Sequence, residues 1–182
     1  MVRVAYWVIS GVGTSVPYDV YLWDSVTGAS TRLTAGDAQE IYPATDGTRV
    51  AWQRSSVGGG ASGTFTLVTR PLAGGPAVAL STTAWKFLLR DGVLAWTESR
   101  GPASGALVVS TGGTTTTLAA NASLIANAEG HVIYSVGLKL YSWSAATGVS
   151  TLRADDSAAE RAFVSNGALF FRIQRSVYRV AL

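Results

Sequence analysis

A tight turn followed by an apolar run recurs four times, and no other feature constrains the fold of this chain as strongly. An acidic or amide residue followed by glycine stands at Asp46-Gly47, Asp91-Gly92, Glu129-Gly130 and Asn166-Gly167, spaced about 45, 38 and 37 residues apart. A similar segment follows each turn: Arg49-Val50-Ala51-Trp52, Val93-Leu94-Ala95-Trp96, Val132-Ile133-Tyr134 and Leu169-Phe170-Phe171. The opening Val2-Arg3-Val4-Ala5-Tyr6-Trp7 is a fifth copy without its turn. A second landmark, at Thr27-Gly28, Gly74-Gly75, Gly112-Gly113 and Thr147-Gly148, precedes Leu33, Leu80, Leu118 and Leu152. Two-residue turns of this kind need positive φ, which glycine adopts without a Cβ penalty.

The two landmarks divide the chain into units of four strands, A to D, at about 1–34, 35–81, 82–118, 119–153 and 154–182, within one domain spanning 1–182. Strand A is expected near 39–45, 84–90, 122–128 and 160–165, and strand B near 2–9, 48–54, 93–98, 131–136 and 168–174. Strand C is expected near 18–24, 64–71, 105–110, 138–144 and 176–181, and strand D near 29–34, 76–81, 114–118 and 149–153. No segment carries a 3.6-residue apolar period; Asp155 to Ala162 reads as a loop with one helical turn.

Several strands are apolar on both faces, as in Val4 through Ile9, Phe87-Leu88-Leu89, Leu107-Val108-Val109 and Ala168 through Phe171. Turns this short leave no room for crossover helices, so the sheets are antiparallel. An antiparallel sheet covered on both faces is the construction of a propeller blade; a two-sheet sandwich, the alternative, would show cleaner alternation. The expected fold is therefore all-β: a β-propeller of antiparallel four-stranded blades, about five blades or partial blades, or a segment of a larger propeller.

Gln39-Glu40-Ile41-Tyr42-Pro43-Ala44-Thr45-Asp46-Gly47-Thr48-Arg49-Val50-Ala51-Trp52 resembles the repeat of TolB-like (WD40-like) β-propellers, in which a proline, a short spacer, Asp-Gly and a strand follow one another. Val20-Tyr21-Leu22-Trp23-Asp24 and Thr27-Gly28-Ala29-Ser30-Thr31-Arg32-Leu33-Thr34 are similar to another element of that repeat, an apolar strand, a Gly turn and a strand ending Leu-Thr. The match is strongest over 18–54; Glu129-Gly130 and Asn166-Gly167 depart from it, and the proline is absent there. The resemblance implies a structural repeat of bacterial type. Such propellers serve as partner-binding modules, as domains of peptidases and, less often, as lyases, so it carries no single function. With the lack of cysteine, it also points to an extracytoplasmic setting.

Composition narrows the chemistry. The 182 residues include no cysteine and one histidine, His131, which excludes disulfides, thiolate metal sites and multi-histidine sites. Hydrophobic residues make up 48% and charged residues 14%, so disorder is excluded as the general state. No apolar run approaches the ~20 residues of a membrane span. The net charge of +3 comes mostly from arginines, with Lys86 and Lys139 the only lysines. These cations are dispersed, without the cluster a nucleic-acid footprint needs. The N-terminus reads as a β-strand rather than as a signal peptide.

Candidate site residues follow from loop lengths. The expected B–C loops 10–17, 54–63 and 99–104 and the D–A loop 153–160 are long and fall on one face of a propeller, where binding concentrates. The candidates on that face are Asp37, Glu40, Arg54, Trp85, Arg100, Asp155, Asp156 and Glu160, with Asp37 and Glu40 placed in a D–A loop. Asp155, Asp156 and Glu160 match no calcium-loop spacing and read as a solvated loop. Trp7, Trp23, Trp52, Trp96 and Trp143 recur at equivalent strand positions and read as packing between blades, whereas Trp85 opens a strand A near the rim.

His131 follows a turn and reads as a hydrogen-bonded structural residue. Gly11-Val12-Gly13 and Gly58-Gly59-Gly60 lack the following helix of a phosphate-cradling motif. No catalytic, cofactor-binding or metal-binding residue is assigned, and no cofactor is expected. The functional expectation is a non-catalytic binding or assembly module, with a protein or a second copy of the chain as partner and neither nucleic acid nor a membrane span involved. A carbohydrate-binding or carbohydrate-cleaving propeller and a propeller segment of a larger enzyme are the alternatives. Tyr6, Trp7, Tyr21 and Trp23 at the front, and Phe170, Phe171, Ile173 and Tyr178 at the back, are expected on open end faces that meet in cis or on another chain.

Overall fold

The computed structural model describes residues 1–9, 17–55, 65–98, 105–155, 161–173 and 175–182. Between the glycine turns, β-branched and aromatic residues occupy the extended segments they favour. The described residues form seventeen strands and no helix. The chain packs as two compact units, Met1–Ala84 and Trp85–Leu182.

In the first unit lie β1 (Arg3–Ile9), β2 (Tyr18–Asp24), β3 (Ser30–Arg32), β4 (Gln39–Thr45), β5 (Arg49–Ser55), β6 (Thr66–Pro71) and β7 (Val78–Ser81). They form one sheet in the order β1-β2-β4-β5-β6-β7, with β3 paired to β2. Every pairing here is antiparallel except a single parallel bridge, Tyr18 to Gln39, that joins β2 to β4.

β8 (Ala84–Arg90) begins at the unit boundary, and β9 (Val93–Glu98), β10 (Gly105–Thr111), β11 (Thr114–Ala128), β12 (His131–Val136), β13 (Lys139–Ser144) and β14 (Ser150–Ala154) follow it. These seven make a second sheet in sequence order. A third sheet holds β15 (Arg161–Ser165), β16 (Ala168–Ile173) and β17 (Ser176–Ala181).

The strands fall within about two residues of their expected bounds, apart from one merger. The D strand at 114–118 and the A strand at 122–128 form the single 15-residue strand β11. Its first half pairs with β10 and its second with β12, and Ala122 is partnered by both Gly105 and Val136. Only Ala119, Ala120 and Asn121 separate the halves, with no glycine or proline to break the strand. Asn121 takes a positive φ of 51° and redirects the chain without ending it. Hydrogen bonding thus runs through three sheets rather than through about five separate blades or partial blades.

Gly47, Gly92, Gly130 and Gly167 all have positive φ, at 86°, 76°, 71° and 65°. Asp91, Glu129 and Asn166 before the last three are also left-handed, at 51°, 52° and 51°. Two successive positive φ values define the type I′ turn, whose twist suits a two-residue hairpin. Asp46 differs. Its Oδ1 accepts the Thr48 N–H (2.9 Å), the Thr48 hydroxyl (2.7 Å) and the Arg49 N–H (3.0 Å), closing an Asx turn.

Alternation decides which face each residue covers. In Met1–Ala84, buried Val20, Val50, Trp52 and Val68 gather with Ala5, Leu22, Leu33 and Leu72. In Trp85–Leu182, Val93, Ala95, Leu107, Val109, Leu124, Val132, Tyr134 and Trp143 form one core cluster. Ile133, between Val132 and Tyr134, points the other way and packs with Leu140, Leu169 and Phe171. The second half of β11 with β12 and β13 is therefore covered on both faces, by residues of β9 and β10 on one side and by the third sheet on the other. Burying an aliphatic or aromatic side chain contributes roughly 1.5–3 kcal/mol, so the stacking itself is a main source of stability.

Candidate binding surfaces

Of the residues expected on a long-loop face, Glu40 and Arg54 are brought together. Glu40 lies in strand β4, not in a loop, and is buried. It stands directly across from Arg54 on β5, whose Nε donates to Glu40 Oε1 at 2.7 Å, and the Trp52 indole N–H donates to Glu40 Oε2. The carboxylate is thus used up in satisfying a buried indole and a guanidinium, a bracing role. Glu40 is the second residue of its strand, and β-sheet alternation turns it to the face that Trp52 occupies.

Asp37 is exposed in the segment before β4. Trp85 is 41% exposed on β8. Asp155, beyond β14, pairs with Lys139 across 3.4 Å on the surface. Arg100, Asp156 and Glu160 lie outside the described residues, as do most of the loops 10–17, 54–63 and 99–104 and the expected helical turn. Among the described residues no cluster of three or more His, Asp or Glu is placed to hold a metal ion, and no helix is long and apolar enough to cross a membrane. His131 Nδ1 sits 3.0 Å from the Glu129 carbonyl, within its own turn.

The tryptophans divide. Trp52, Trp96 and Trp143 are buried and Trp23 is half-buried. Trp7 departs from the expectation of packing: it is 43% exposed and rests edge-on against Tyr18 at 4.9 Å. The reason is its strand, because β1 pairs only with β2 among the described residues.

The end faces also differ from expectation. Phe171 and Ile173 turn inward to the core, Phe171 being 4% exposed. The outward face of the third sheet instead carries Phe170 and Phe163, whose rings stack at 5.0 Å and 7°. Phe163 is 58% exposed. Arg179 stands across from Phe170, and the next row joins Arg161, Arg172 and Val177. In the first unit, the face of β1 and β2 opposite the Val20 core carries Val4, Tyr6 and Val8, with Trp23, Tyr21 and Asp19 across the register and Arg32 of β3 beside Tyr21. Tyr6 and Tyr21 stack at 5.6 Å.

A groove of about 320 Å³ opens in the first unit beside Arg3, Asp24, Thr31, Leu33, Arg70 and Leu72, and no motif announced it. The Arg3 Nε donates to Asp24 at 3.1 Å, its Nη1 to the Gly47 carbonyl, and Arg70 Nη1 donates to the Leu33 carbonyl at 3.0 Å. The Val26 N–H and then the Arg3 side chain hold the Asp24 carboxyl below its ordinary pKa. These bonds make the groove's charged groups braces between neighbouring strands.

The class that the fold defines is an all-β protein of three largely antiparallel sheets. No protein-family model matches the chain, and no curated protein matches its sequence.

Proposed function

We propose that this chain is a non-catalytic binding and assembly module, built as a β-propeller or propeller segment of the TolB-like kind. The observation that carries the reading is the block formed by the second half of β11 with β12 and β13, buried on one face by β9 and β10 and on the other by the third sheet. Repeated face-to-face stacking of this kind is how propeller blades bury apolar strands. The polar candidates give further support, because Glu40, Asp155 and His131 are engaged in bonds within the protein. What remains outward on the terminal sheets is aromatic, aliphatic and arginine-rich, the composition favoured at protein interfaces.

The test is a turnover screen of the full chain against esters, peptides and glycosides. The expected result is no hydrolysis that a point substitution abolishes. Reproducible turnover lost in a single variant contradicts the reading. The architecture is tested by a crystal structure of the assembled form: β4, β8, the second half of β11 and β15 should line a common axis, and sheets without such an axis would contradict a propeller.

A second reading rests on Trp85, 41% exposed on β8. An accessible indole suits stacking on a sugar ring, and a glycan array without hits would remove that reading.

A further inference from the structure

We infer that β1 of one copy pairs edge to edge with β1 of a second copy, as antiparallel strands related by a two-fold axis at Tyr6; this rests on the assembly reading above. Among the described residues β1 pairs only with β2, so one of its edges is open. Hydrogen bonds show which backbone groups lie on that edge. The Ser25 N–H donates to the Val2 carbonyl at 3.0 Å, and the Leu33 N–H donates to the Val20 carbonyl on the far side of β2 at 2.8 Å. Bonded pairs alternate along antiparallel strands, so Val4, Tyr6 and Val8 turn their backbone groups to β2. Those of Arg3, Ala5, Trp7 and Ile9 point to the open edge.

Edge strands are normally kept short or guarded by charge. β3 has three residues and β7 four. β8 carries Lys86 and Arg90, β14 Arg153, β15 Arg161 and β17 Arg179. Arg153 also donates to the Ala181 carbonyl of β17 at 3.0 Å. β1 has seven residues, and its Val4, Trp7, Val8 and Ile9 are exposed. Its one charge, Arg3, is paired with Asp24, and Arg32 beside Tyr21 is paired with Asp19.

One register satisfies the whole edge. With the axis at Tyr6, Arg3 lies across from Ile9 of the second copy and Ala5 across from its Trp7, and each such pair exchanges both N–H···O bonds. No arginine meets an arginine. On the other face Val4 meets Val8 of the second copy, and Tyr6 meets Tyr6, which extends the Tyr6–Tyr21 stack across the axis. Aromatic and β-branched pairs directly across neighbouring strands are favourable.

The chain has no cysteine, so single introduced thiols report the register. Tyr6→Cys sets two thiols directly opposite each other, within the span of a disulfide. Val4→Cys in both copies leaves them about 13 Å apart along the strands, as does Val8→Cys. A mixture of those two variants brings the unlike thiols together. Under mild oxidation Tyr6→Cys should cross-link at least about tenfold faster than Val4→Cys or Val8→Cys alone. The equimolar mixture should give mainly the mixed dimer. Sedimentation velocity of wild type over a concentration series should end at a dimer, because an isologous contact closes on itself.

A wild type that stays monomeric overturns the pairing and leaves the edge to a strand of another protein or of its own chain. Association without this cross-linking pattern overturns the pairing while the assembly reading stands. The mixture keeps Tyr6 intact, so the absence of mixed dimers counts against the pairing even if Tyr6→Cys fails to fold. Turnover is measured separately, so neither result touches the non-catalytic reading.

Discussion

The carboxylate of Glu129 accepts the backbone N–H groups of Asn166 and Gly167, at 2.9 and 2.8 Å. The turn of one unit thus grips the turn of the next. Asp91 does the same one unit earlier, its Oδ2 accepting the Glu129 N–H at 2.7 Å. At Asp91 and Glu129 the acidic residue before the turn glycine therefore has a use beyond its own hairpin, whereas Asp46 bonds to Thr48 and Arg49 within its own turn. Asn166 supplies the left-handed conformation without a carboxylate.

Glu129→Ala should lower stability by about 1–2 kcal/mol, since it removes a charged acceptor from two N–H groups. Glu129→Gln should lose less, because an amide oxygen still accepts. Urea denaturation of the two variants against wild type measures the difference, with unchanged m values confirming a native-state effect.

Gly167 has open space around a built Cβ and a φ of +65°, so substitution there is a question of backbone strain alone. Gly167→Val should cost about 1–2 kcal/mol, while Gly167→Asn should cost distinctly less because Asn tolerates the left-handed region. Thermal denaturation ranks the pair; equal losses would mean that the turn relaxes around either residue.

Glu40→Ala strands the Trp52 indole N–H and removes the partner of Arg54. Leaving a buried donor unsatisfied and a charge unpaired should destabilise by about 3 kcal/mol. Glu40→Gln retains an acceptor for the indole and should fall between. Denaturation followed by tryptophan fluorescence reads both.

The pH dependence follows from Asp46. Burial pushes its carboxyl pKa up, but hydrogen bonds from the Thr48 hydroxyl and from the Thr48 and Arg49 backbones outweigh this, and the net shift is downward. A carboxyl with a depressed folded pKa stabilises the protein above its unfolded pKa, and the contribution is lost as pH falls through the folded value. Wild type should therefore lose stability on acidification from about pH 5 downward, and Asp46→Asn should flatten that part of the profile. Asp24, lowered by the Val26 N–H and Arg3, leaves a residual slope in the variant.

Much of the strand pattern was legible because the glycines punctuate it. Arg49–Ser55 and Val93–Glu98 emerge almost at the bounds set by Asp46-Gly47 and Asp91-Gly92. What was not legible depends on phase and on neighbours. Phe170 and Phe171 are equally apolar, and only the register with Phe163 and Ala162 decides which of them faces outward. Glu40 looked like a loop acid because its partner Trp52 lies twelve residues away, across a sheet pairing. The grip of Glu129 on Asn166 could not be read from either hairpin alone, because it depends on two successive units being adjacent. The one sign of continuity in β11 is the absence of glycine and proline between Leu118 and Ala122, which the repeat pattern overrode.

Amide hydrogen exchange, resolved strand by strand at low and high protein concentration, tests the central claim most directly. A sheet covered on both faces should open only with global unfolding. The amides of β12 should therefore be among the slowest at either concentration, and those of β1 and β17 should exchange rapidly in dilute protein. The amides of Ala5 and Trp7 in β1 should then slow as the concentration rises, while those of β17 should not. Fast exchange in β12, or β1 amides whose rates ignore concentration, would contradict the account of stacked sheets that assemble through an open edge strand.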